Sequence, residues 1–241
     1  MSQRFYLADL PNSGVVRLGD QESRHLLVSR HAVDDCVWLF DGQSAEAREA
    51  RIVSHSKSGV DLEFTGKCDG GRCEPVLAIT LATCVPKGDR LDWLVEKAVE
   101  VGVSRLQLLR SERSVVEPRV TKLSRLERII VEASKQCGRN RLMRLAPLAD
   151  WSDFRAACDS PVRLLADRDG VEPASLPRQR AGDSVTIAVG PEGGFSQSEL
   201  NDAVGRGWQA TSFGRSVMRI ETAGIVACAR VLACACFRKD C

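Results

Sequence analysis

Patterns that form metal or disulfide sites are missing from this sequence of 241 residues. It contains only three histidines, and its ten cysteines never form the C-x2-C pairs that are typical of structural zinc sites. The nearest spacings are Cys68-x4-Cys73 and Cys234-x-Cys236-x4-Cys241. We therefore expect reduced, mostly buried thiols that behave as small hydrophobic residues, and we predict no metal site.

Long apolar runs are absent as well. Residues 1–14, MSQRFYLADLPNSG, contain no apolar segment of the kind found in signal peptides, so none is expected. The most apolar late stretch, residues 223–237, is too short to span a bilayer and contains Arg230. These features predict a cytoplasmic protein without a membrane partner.

The common phosphate-binding glycine motifs are also lacking. Residues 190–194 read GPEGG, which has neither the G-x-G-x-x-G spacing of dinucleotide folds nor the G-K-[ST] ending of a P-loop. A nucleotide-dependent oxidoreductase is disfavoured, because no G-x-G-x-x-G follows the apolar run at residues 76–84, which is the first predicted strand of an α/β fold.

Charge is distributed unevenly along the chain. Residues 1–70 contain 8 Lys/Arg against 11 Asp/Glu, whereas residues 105–144 contain 11 Lys/Arg against 4 Glu, a net charge of +7. The second segment is a candidate contact surface for a polyanion, although a solvated helix face has the same composition. Arginine outnumbers lysine nine to two there, which favours phosphate contacts.

The chain divides into an all-β part and an α/β part. Five short apolar or alternating runs separated by turn residues predict a small β-barrel, at residues 5–8, 14–18, 37–40, 50–53 and 59–64. Residues 68–75 are interpreted as a linker. From residue 76, apolar strands alternate with two amphipathic helices that end at Gly102 and Gly138, which predicts an α/β fold with a largely parallel sheet. The predicted strands of this part lie at residues 76–84, 105–109, 162–166, 185–189 and 208–213.

The GPEGG segment directly follows the predicted strand 185–189. Open α/β sheets bind ligands at this end of a strand. Ser196 and Glu199 have the spacing of a capping box, and Phe195 and Leu200 that of a hydrophobic staple, so the loop is expected to be rigid. Its glycines would let a ligand approach the backbone closely, although a plain tight turn is the simpler alternative.

Two further loops are expected beside it. Residues 213–224, FGRSVMRIETAG, follow the next strand, and Glu221 there would face Glu192 of the first loop across a shared pocket. Residues 164–170 could supply a third wall. The helix after residue 224 is rich in small residues, which allow close packing against the same domain or a second subunit.

These motifs resemble the SPOUT class of methyltransferases. Within that class, GPEGG followed by G-x-x-V-M-R-x-E-T-A at 214–223 is similar to the ribosomal RNA small subunit methyltransferase E family. Residues 86–116 and 132–141 match the family pattern closely, and 39–42 (LFDG) more loosely, so the similarity covers nearly the whole chain.

The resemblance implies a fold and a function. It implies a PUA-like, RNA-binding β-barrel over 1–70 and a SPOUT methyltransferase domain with a deep trefoil knot over 75–241. It also implies a homodimer that uses S-adenosyl-L-methionine to methylate N3 of a uridine in 16S ribosomal RNA, free or in the assembled small subunit. The residues that it assigns to the cofactor site are Leu165, Ala166, Gly190, Pro191, Glu192, Gly193, Gly194, Phe213, Gly214, Val217, Met218, Thr222 and Ala223.

Catalytic roles are expected for Arg219 and Glu221. Uracil N3 is a poor nucleophile until its proton is removed, so an enzyme must stabilise the anion or place a base near N3. Arg219 is the candidate for anion stabilisation, with a structural salt bridge to Glu221 as the alternative. Glu221 is a candidate base or orienting group, and Thr222 could instead cap the last helix.

RNA contacts are expected from arginines. N3 lies on the Watson–Crick edge of the base, so the target uridine must be unpaired or extruded. In the α/β domain Arg110, Arg113, Arg139 and Arg141 are the candidate phosphate ligands. In the barrel the candidates are Arg4, Arg24 and Arg30, whereas His25, His31 and His55 are expected to be structural or surface residues.

The chain departs from the family pattern around residues 215–220. The usual proline is replaced by Arg215, an arginine by Ser216 and a threonine by Ile220, and Asp167-Arg168 replace a usual His-Pro. These changes affect fine substrate geometry rather than fold. A catalytically weak RNA-binding or ribosome-assembly protein stays an alternative, as does a ribose 2′-O methyltransferase, although the latter class normally carries an N-x-S-type motif that is missing here.

Overall fold

A computed structural model describes residues 4–29, 31–56, 59–116, 120–172 and 182–236. The chain forms two compact units. The first comprises Met1–Glu74 together with Val131–Leu142, and the second comprises Pro75–Ile130 together with Met143–Cys241. The return of residues 131–142 to the first unit was not anticipated from the sequence, which placed all residues after 75 in the α/β domain.

The first unit is built on a five-stranded mixed sheet. Its order is β1-β3-β4-β5-β2, with β1 parallel to β3 and the other neighbours antiparallel. Phe5, Leu39, Ile52 and Leu62 are fully buried in its core. All five predicted strands are present: β1 (Arg4–Tyr6), β2 (Val15–Arg17), β3 (Cys36–Phe40), β4 (Arg48–Ser56) and β5 (Gly59–Cys68).

One helix of this unit was not predicted. Helix α1 (Asp20–Val28) has the sequence DQESRHLLV, in which Leu26 is fully buried but Leu27 and Val28 are exposed. The preceding Gly19 provides no side-chain cap. The segment therefore lacks both an apolar stripe and a capping signal, which are the features that identify a helix in a sequence.

Asn140, within residues 131–142, is part of the buried polar network of the first unit. Its side chain is fully buried, donates to the Ala45 carbonyl over 2.8 Å and accepts from Arg4 Nη1 over 2.5 Å. Arg4 also pairs with Asp69, with 2.7 Å between Nη2 and Oδ2. In the same unit, the Nζ of Lys135, whose side chain is 6% exposed, lies 3.1 Å from Glu22 Oε1.

The second unit is an α/β fold around a six-stranded sheet. Its order is β11-β9-β10-β6-β7-β8, and every neighbouring pair is parallel, which confirms the predicted parallel sheet. The strands are β6 (Ala78–Cys84), β7 (Arg105–Arg110), β8 (Arg144–Asp150), β9 (Val162–Val171), β10 (Ser184–Val189) and β11 (Gln209–Thr211). The helices are α2 (Arg90–Val101), α3 (Val120–Cys137, whose last turns belong to the first unit), α4 (Trp151–Ala157), α5 (Gln197–Gly205) and α6 (Ile220–Cys236).

Both predicted glycine helix ends are confirmed. Gly102 is the C-cap of α2 in the left-handed conformation, with φ 105°, and Gly138 follows α3 with φ 84°. Strand β8 and helix α4 were not predicted. Pro147 lies inside β8, where proline is tolerated because β8 is the last strand of the sheet.

The strand order determines where a ligand site can form. β9, β10 and β11 are neighbours and run parallel, so the loops that follow them emerge at one edge of the sheet. Within the described ranges, no helix is long and apolar enough to cross a membrane.

Candidate active site

A cleft of about 590 Å³ lies at this edge of the sheet. Its walls come from residues 166–169 of β9, from the loop after β10 and from the segment between β11 and α6. Ten of the residues assigned to the cofactor site from the sequence line it: Ala166, Gly190, Pro191, Glu192, Gly194, Phe213, Gly214, Val217, Met218 and Ala223.

In the described part of the chain, the other three assigned residues lie outside the lining. Leu165 is fully buried in an apolar cluster with Trp151 and Trp208. Gly193 accepts a hydrogen bond from Arg113 through its carbonyl oxygen. Thr222 is exposed in the first turn of α6, which begins at Ile220, so it is also displaced from the capping position considered for it.

The loop 190–194 is tightly fixed by local hydrogen bonds. The Gly194 N–H donates to the Pro191 carbonyl over 2.8 Å, and Gly194 has φ 68°, a conformation that favours glycine. Gly190 is needed for a different reason, because a Cβ there would lie 3.0 Å from the Phe195 nitrogen and ring. The predicted capping box is confirmed, since the Glu199 N–H donates to Ser196 Oγ and the Ser196 N–H donates to Glu199 Oε2.

Arg219 and Glu221 have different surroundings. Arg219 is exposed, lines the cleft and precedes α6, and its carbonyl accepts the Ala223 N–H over 2.8 Å. Among the described residues, none forms an ion pair with its guanidinium. Glu221 is 7% exposed, and its Oε1 lies 3.6 Å from Arg90 Nε. The carboxylate of Glu221 is thus paired with Arg90 and not with Arg219.

Several lining residues were not singled out from the sequence. The 164–170 wall is present and contributes Asp167, Arg168 and Asp169. Thr211 and Ser212 could have been found, because they stand at the end of β11 next to assigned residues. The remaining residues of this group lie on or beside the predicted loops, but the sequence did not show that they line the cleft: Val189, Phe195, Leu200, Ser216 and Ile220.

The candidate RNA ligands fall into two groups. Arg4 is bound to Asp69 and Asn140, and Arg139 is 4% exposed beside Glu74. Burial lowers the pKa of Arg139, against a smaller opposite effect of Glu74. Both side chains make their printed contacts within the first unit. Arg139 and Arg141 belong to that unit, whereas the sequence placed them in the α/β domain.

The other candidates have accessible side chains where they are described. Arg24 and Arg141 are exposed, and Arg30 lies outside the described residues. Arg110 makes two hydrogen bonds to Asp150, at 2.6 and 3.2 Å, and these lower the pKa of that carboxyl. Arg113 is exposed and contacts the loop after β10.

Comparison with known protein families identifies an RNA methyltransferase domain in this chain. The sequence model of that domain family matches residues 72–232. A crystal structure of ribosomal RNA small subunit methyltransferase E from Neisseria gonorrhoeae, bound to S-adenosyl methionine, is similar with a TM-score of 0.90 and 30% identity, and the match covers 98% of each chain.

Curated relatives indicate the same family. Ribosomal RNA small subunit methyltransferase E of Rickettsia conorii is 26% identical over 235 residues, covering 95% of this chain and 94% of that one. The Synechocystis protein of that name is 32% identical over 165 residues, covering 64% of this chain and 53% of the relative, so the chain matches about half the length of that relative. The chain belongs to the ribosomal RNA small subunit methyltransferase E family.

Proposed function

We propose that this protein transfers the methyl group of S-adenosylmethionine to N3 of a uridine in 16S ribosomal RNA. The observation that carries the proposal is the cleft at the ends of β9, β10 and β11, with Arg219 in its wall. The similar Neisseria structure contains S-adenosyl methionine, which supports the cofactor. The names of the curated relatives support the small-subunit RNA as the substrate.

The residues present fit such a cofactor. A volume of about 590 Å³ lies within the range of small-molecule pockets. A Cβ at Gly194 would meet no protein atom within 4 Å, so the glycine leaves space open at the cleft. Phe213 and Met218 offer apolar surface, and the exposed carboxylate of Glu192 complements a positive charge. When bound, the cofactor would supply an electrophilic methyl group on a sulfonium, and the loops after β9, β10 and β11 would hold it beside the acceptor.

Arg219 supplies the charge that the acceptor needs. Loss of the N3 proton to solvent leaves negative charge on N3 and the ring oxygens of the uridine, and a guanidinium at the cleft wall stabilises that anion. Arginine offers several hydrogen-bond donors in a fixed planar arrangement, which suits the ring oxygens of the anion. Because Glu221 is buried, pairs with Arg90 and is absent from the cleft lining among the described residues, we assign it a structural role at the start of α6 instead of that of the base.

The wider assignments follow from the same proposal. The first unit would act as the PUA-like RNA-binding barrel, and the second as the knotted SPOUT domain. Exposed Arg24 and Arg141 are candidate phosphate contacts. The protein is proposed to be cytoplasmic and to bind no metal. It is also proposed to form a homodimer, with small residues of α6 at the subunit contact, and sedimentation velocity would measure the mass of the dimer. Within the described residues, no group of three His, Cys, Asp or Glu could hold a metal ion.

The test is calorimetric titration of S-adenosylmethionine, with methyl transfer to small-subunit RNA or subunits measured in parallel. Arg219→Ala should bind the cofactor like the parent but lose at least about 100-fold in turnover, as is typical for removal of one charge-stabilising group. Arg215→Ala is the matched control, because Arg215 is an exposed arginine of the same loop outside the lining.

Each other outcome identifies a different error. Loss of cofactor binding in Arg219→Ala would make Arg219 a binding residue. Loss of turnover only in Arg215→Ala would transfer the catalytic role to that position. A parent that binds RNA but no cofactor would support the RNA-binding alternative and refute the methyltransferase.

A further inference from the structure

The segment after β7, residues 111–114, contacts the loop 190–194 directly. Arg113 Nη1 donates to the Gly193 carbonyl oxygen over 2.8 Å. The aliphatic part of the same side chain packs on this glycine, since a Cβ at Gly193 would lie 3.5 Å from Arg113 Cδ. One arginine therefore holds the loop by a charge-assisted hydrogen bond and by packing.

A second contact joins the two segments at the start of α5. The Glu112 N–H donates to Glu199 Oε1 over 3.0 Å, while the other carboxylate oxygen of Glu199 accepts from the Ser196 N–H over 2.8 Å. Glu199 thus does more than complete the capping box, because its second oxygen fixes the helix start to the segment that carries Arg113.

The segment itself is anchored to the centre of the sheet. The Ser111 N–H donates to Ser114 Oγ over 2.9 Å, and the Ser114 N–H donates to the Ser111 carbonyl over 3.1 Å. Both hydroxyls lie 3.5 Å from the buried thiol of Cys84, the last residue of the central strand β6. Arg113 is consequently presented from a fixed turn.

The lining of the cleft shows what this contact does. Gly190, Pro191, Glu192 and Gly194 line the cleft, whereas Gly193 is bound to Arg113. We infer that Arg113 is a positioning residue for the cofactor: it fixes the Gly193 peptide, so that the neighbouring residues of the loop face the ligand in one conformation. The inference rests on the proposed function, because it takes the ligand to be S-adenosylmethionine.

This role differs from the phosphate contact predicted from the sequence. A positioning arginine affects cofactor affinity through a hydrogen bond, whereas a phosphate ligand affects RNA affinity through charge and salt dependence. The two roles can therefore be separated by measuring both affinities on the same variants.

The experiment compares Arg113→Ala, Arg113→Gln and Arg128→Ala with the parent protein. Arg128 is an exposed arginine of α3, so its removal takes away the same charge. We expect Arg113→Ala to raise the Kd and KM for S-adenosylmethionine about tenfold with little change in kcat, which corresponds to one lost hydrogen bond to a charged donor. Arg113→Gln keeps an N–H donor without the charge and should recover part of the loss, while Arg128→Ala should leave the cofactor affinity unchanged.

RNA affinity is measured without cofactor at two salt concentrations. Hydrogen exchange of the Gly194 amide measures the stability of the loop 190–194 independently of RNA binding. Arg113→Ala should lose no more RNA affinity than Arg128→Ala, and its Gly194 amide should exchange faster. An unchanged cofactor Kd in Arg113→Ala would overturn the inference, and a loss confined to RNA affinity would make Arg113 a phosphate ligand. If the parent bound no cofactor, the proposed function would fail as well, whereas an unchanged Kd in the variant alone would leave it intact.

Discussion

Two carboxylates of similar appearance in the sequence have different positions in the second unit. Glu192 is exposed at the cleft, whereas Glu221 is buried and paired with Arg90. The sequence placed both on facing loops but contained no signal for Arg90, which lies 131 positions earlier at the start of α2. Partners this distant are determined by packing, so a residue pattern can identify a charged candidate without identifying its partner.

Asp69 gives a pH prediction at the same scale. Burial would raise its pKa, but hydrogen bonds from the Ala47 N–H, Asn140, Arg4 and the Gly71 N–H outweigh burial and lower it from 3.8 to about 2. Since the folded pKa is below the unfolded value, the stability from ionised Asp69 is complete above about pH 4 and is lost as the pH falls through about 2. The difference in unfolding free energy between the parent and Asp69→Asn should therefore narrow over that range.

Urea unfolding of both proteins between pH 6 and pH 2 measures this difference. Asp9→Asn is the control, because Asp9 is exposed in the same unit and its removal should change stability by less than about 0.5 kcal/mol at each pH. A difference for Asp69→Asn that stayed constant down to pH 2 would contradict the assigned hydrogen bonds.

At the scale of helices and strands, features that a few adjacent residues specify could be predicted from the sequence, whereas features that depend on packing could not. The capping box at Ser196 and the ends of α2 and α3 were found because a few adjacent residues specify them. Helix α1 and strand β8 were missed, since α1 has little apolar periodicity and β8 contains an internal proline. The cleft was located from glycine-rich strand ends, but its full lining depends on the packing of three separate loops.

Two adjacent glycines after β5, Gly70 and Gly71, differ in how closely they approach the backbone of another segment. Gly70 and Gly71 have φ of 70° and 65°, so alanine is strained at both. A Cβ at Gly71 would lie 2.5 Å from the Ala45 carbonyl oxygen, whereas one at Gly70 would meet nothing within 4 Å. Gly70→Ala should cost about 1 kcal/mol of unfolding free energy, and Gly71→Ala about 3 kcal/mol or more, because the backbone must also shift. Equal losses in chemical denaturation would show that the contact with Ala45 is unimportant.

At the scale of the whole molecule, the first unit is discontinuous in sequence. Residues 131–142 supply Lys135 to Glu22 and Asn140 to Arg4. The sequence indicated an uninterrupted barrel followed by a linker, because contacts between distant segments have no local pattern.

The dependence of the first unit on residues 131–142 predicts how a fragment that lacks them behaves. A chain that ends at Glu74 leaves the buried Glu22 without its lysine partner and removes Asn140 from its network, so residues 1–74 should show no cooperative thermal transition by circular dichroism. A peptide of residues 131–142 added in excess should restore part of the transition, whereas the same peptide with Asn140→Ala should restore less. A cooperative transition of the fragment alone would refute the prediction.

The return of residues 131–142 also sets an order of events during synthesis. The five strands of the first unit leave the ribosome early, but the segment that closes their polar network comes only after β6, α2, β7 and most of α3. At roughly 5–20 residues per second, translation leaves an interval of roughly 3–14 s between the two. The part of the protein that is synthesised first therefore cannot complete its fold until a later segment follows, and during that interval Glu22 and Arg4 lack their partners in 131–142.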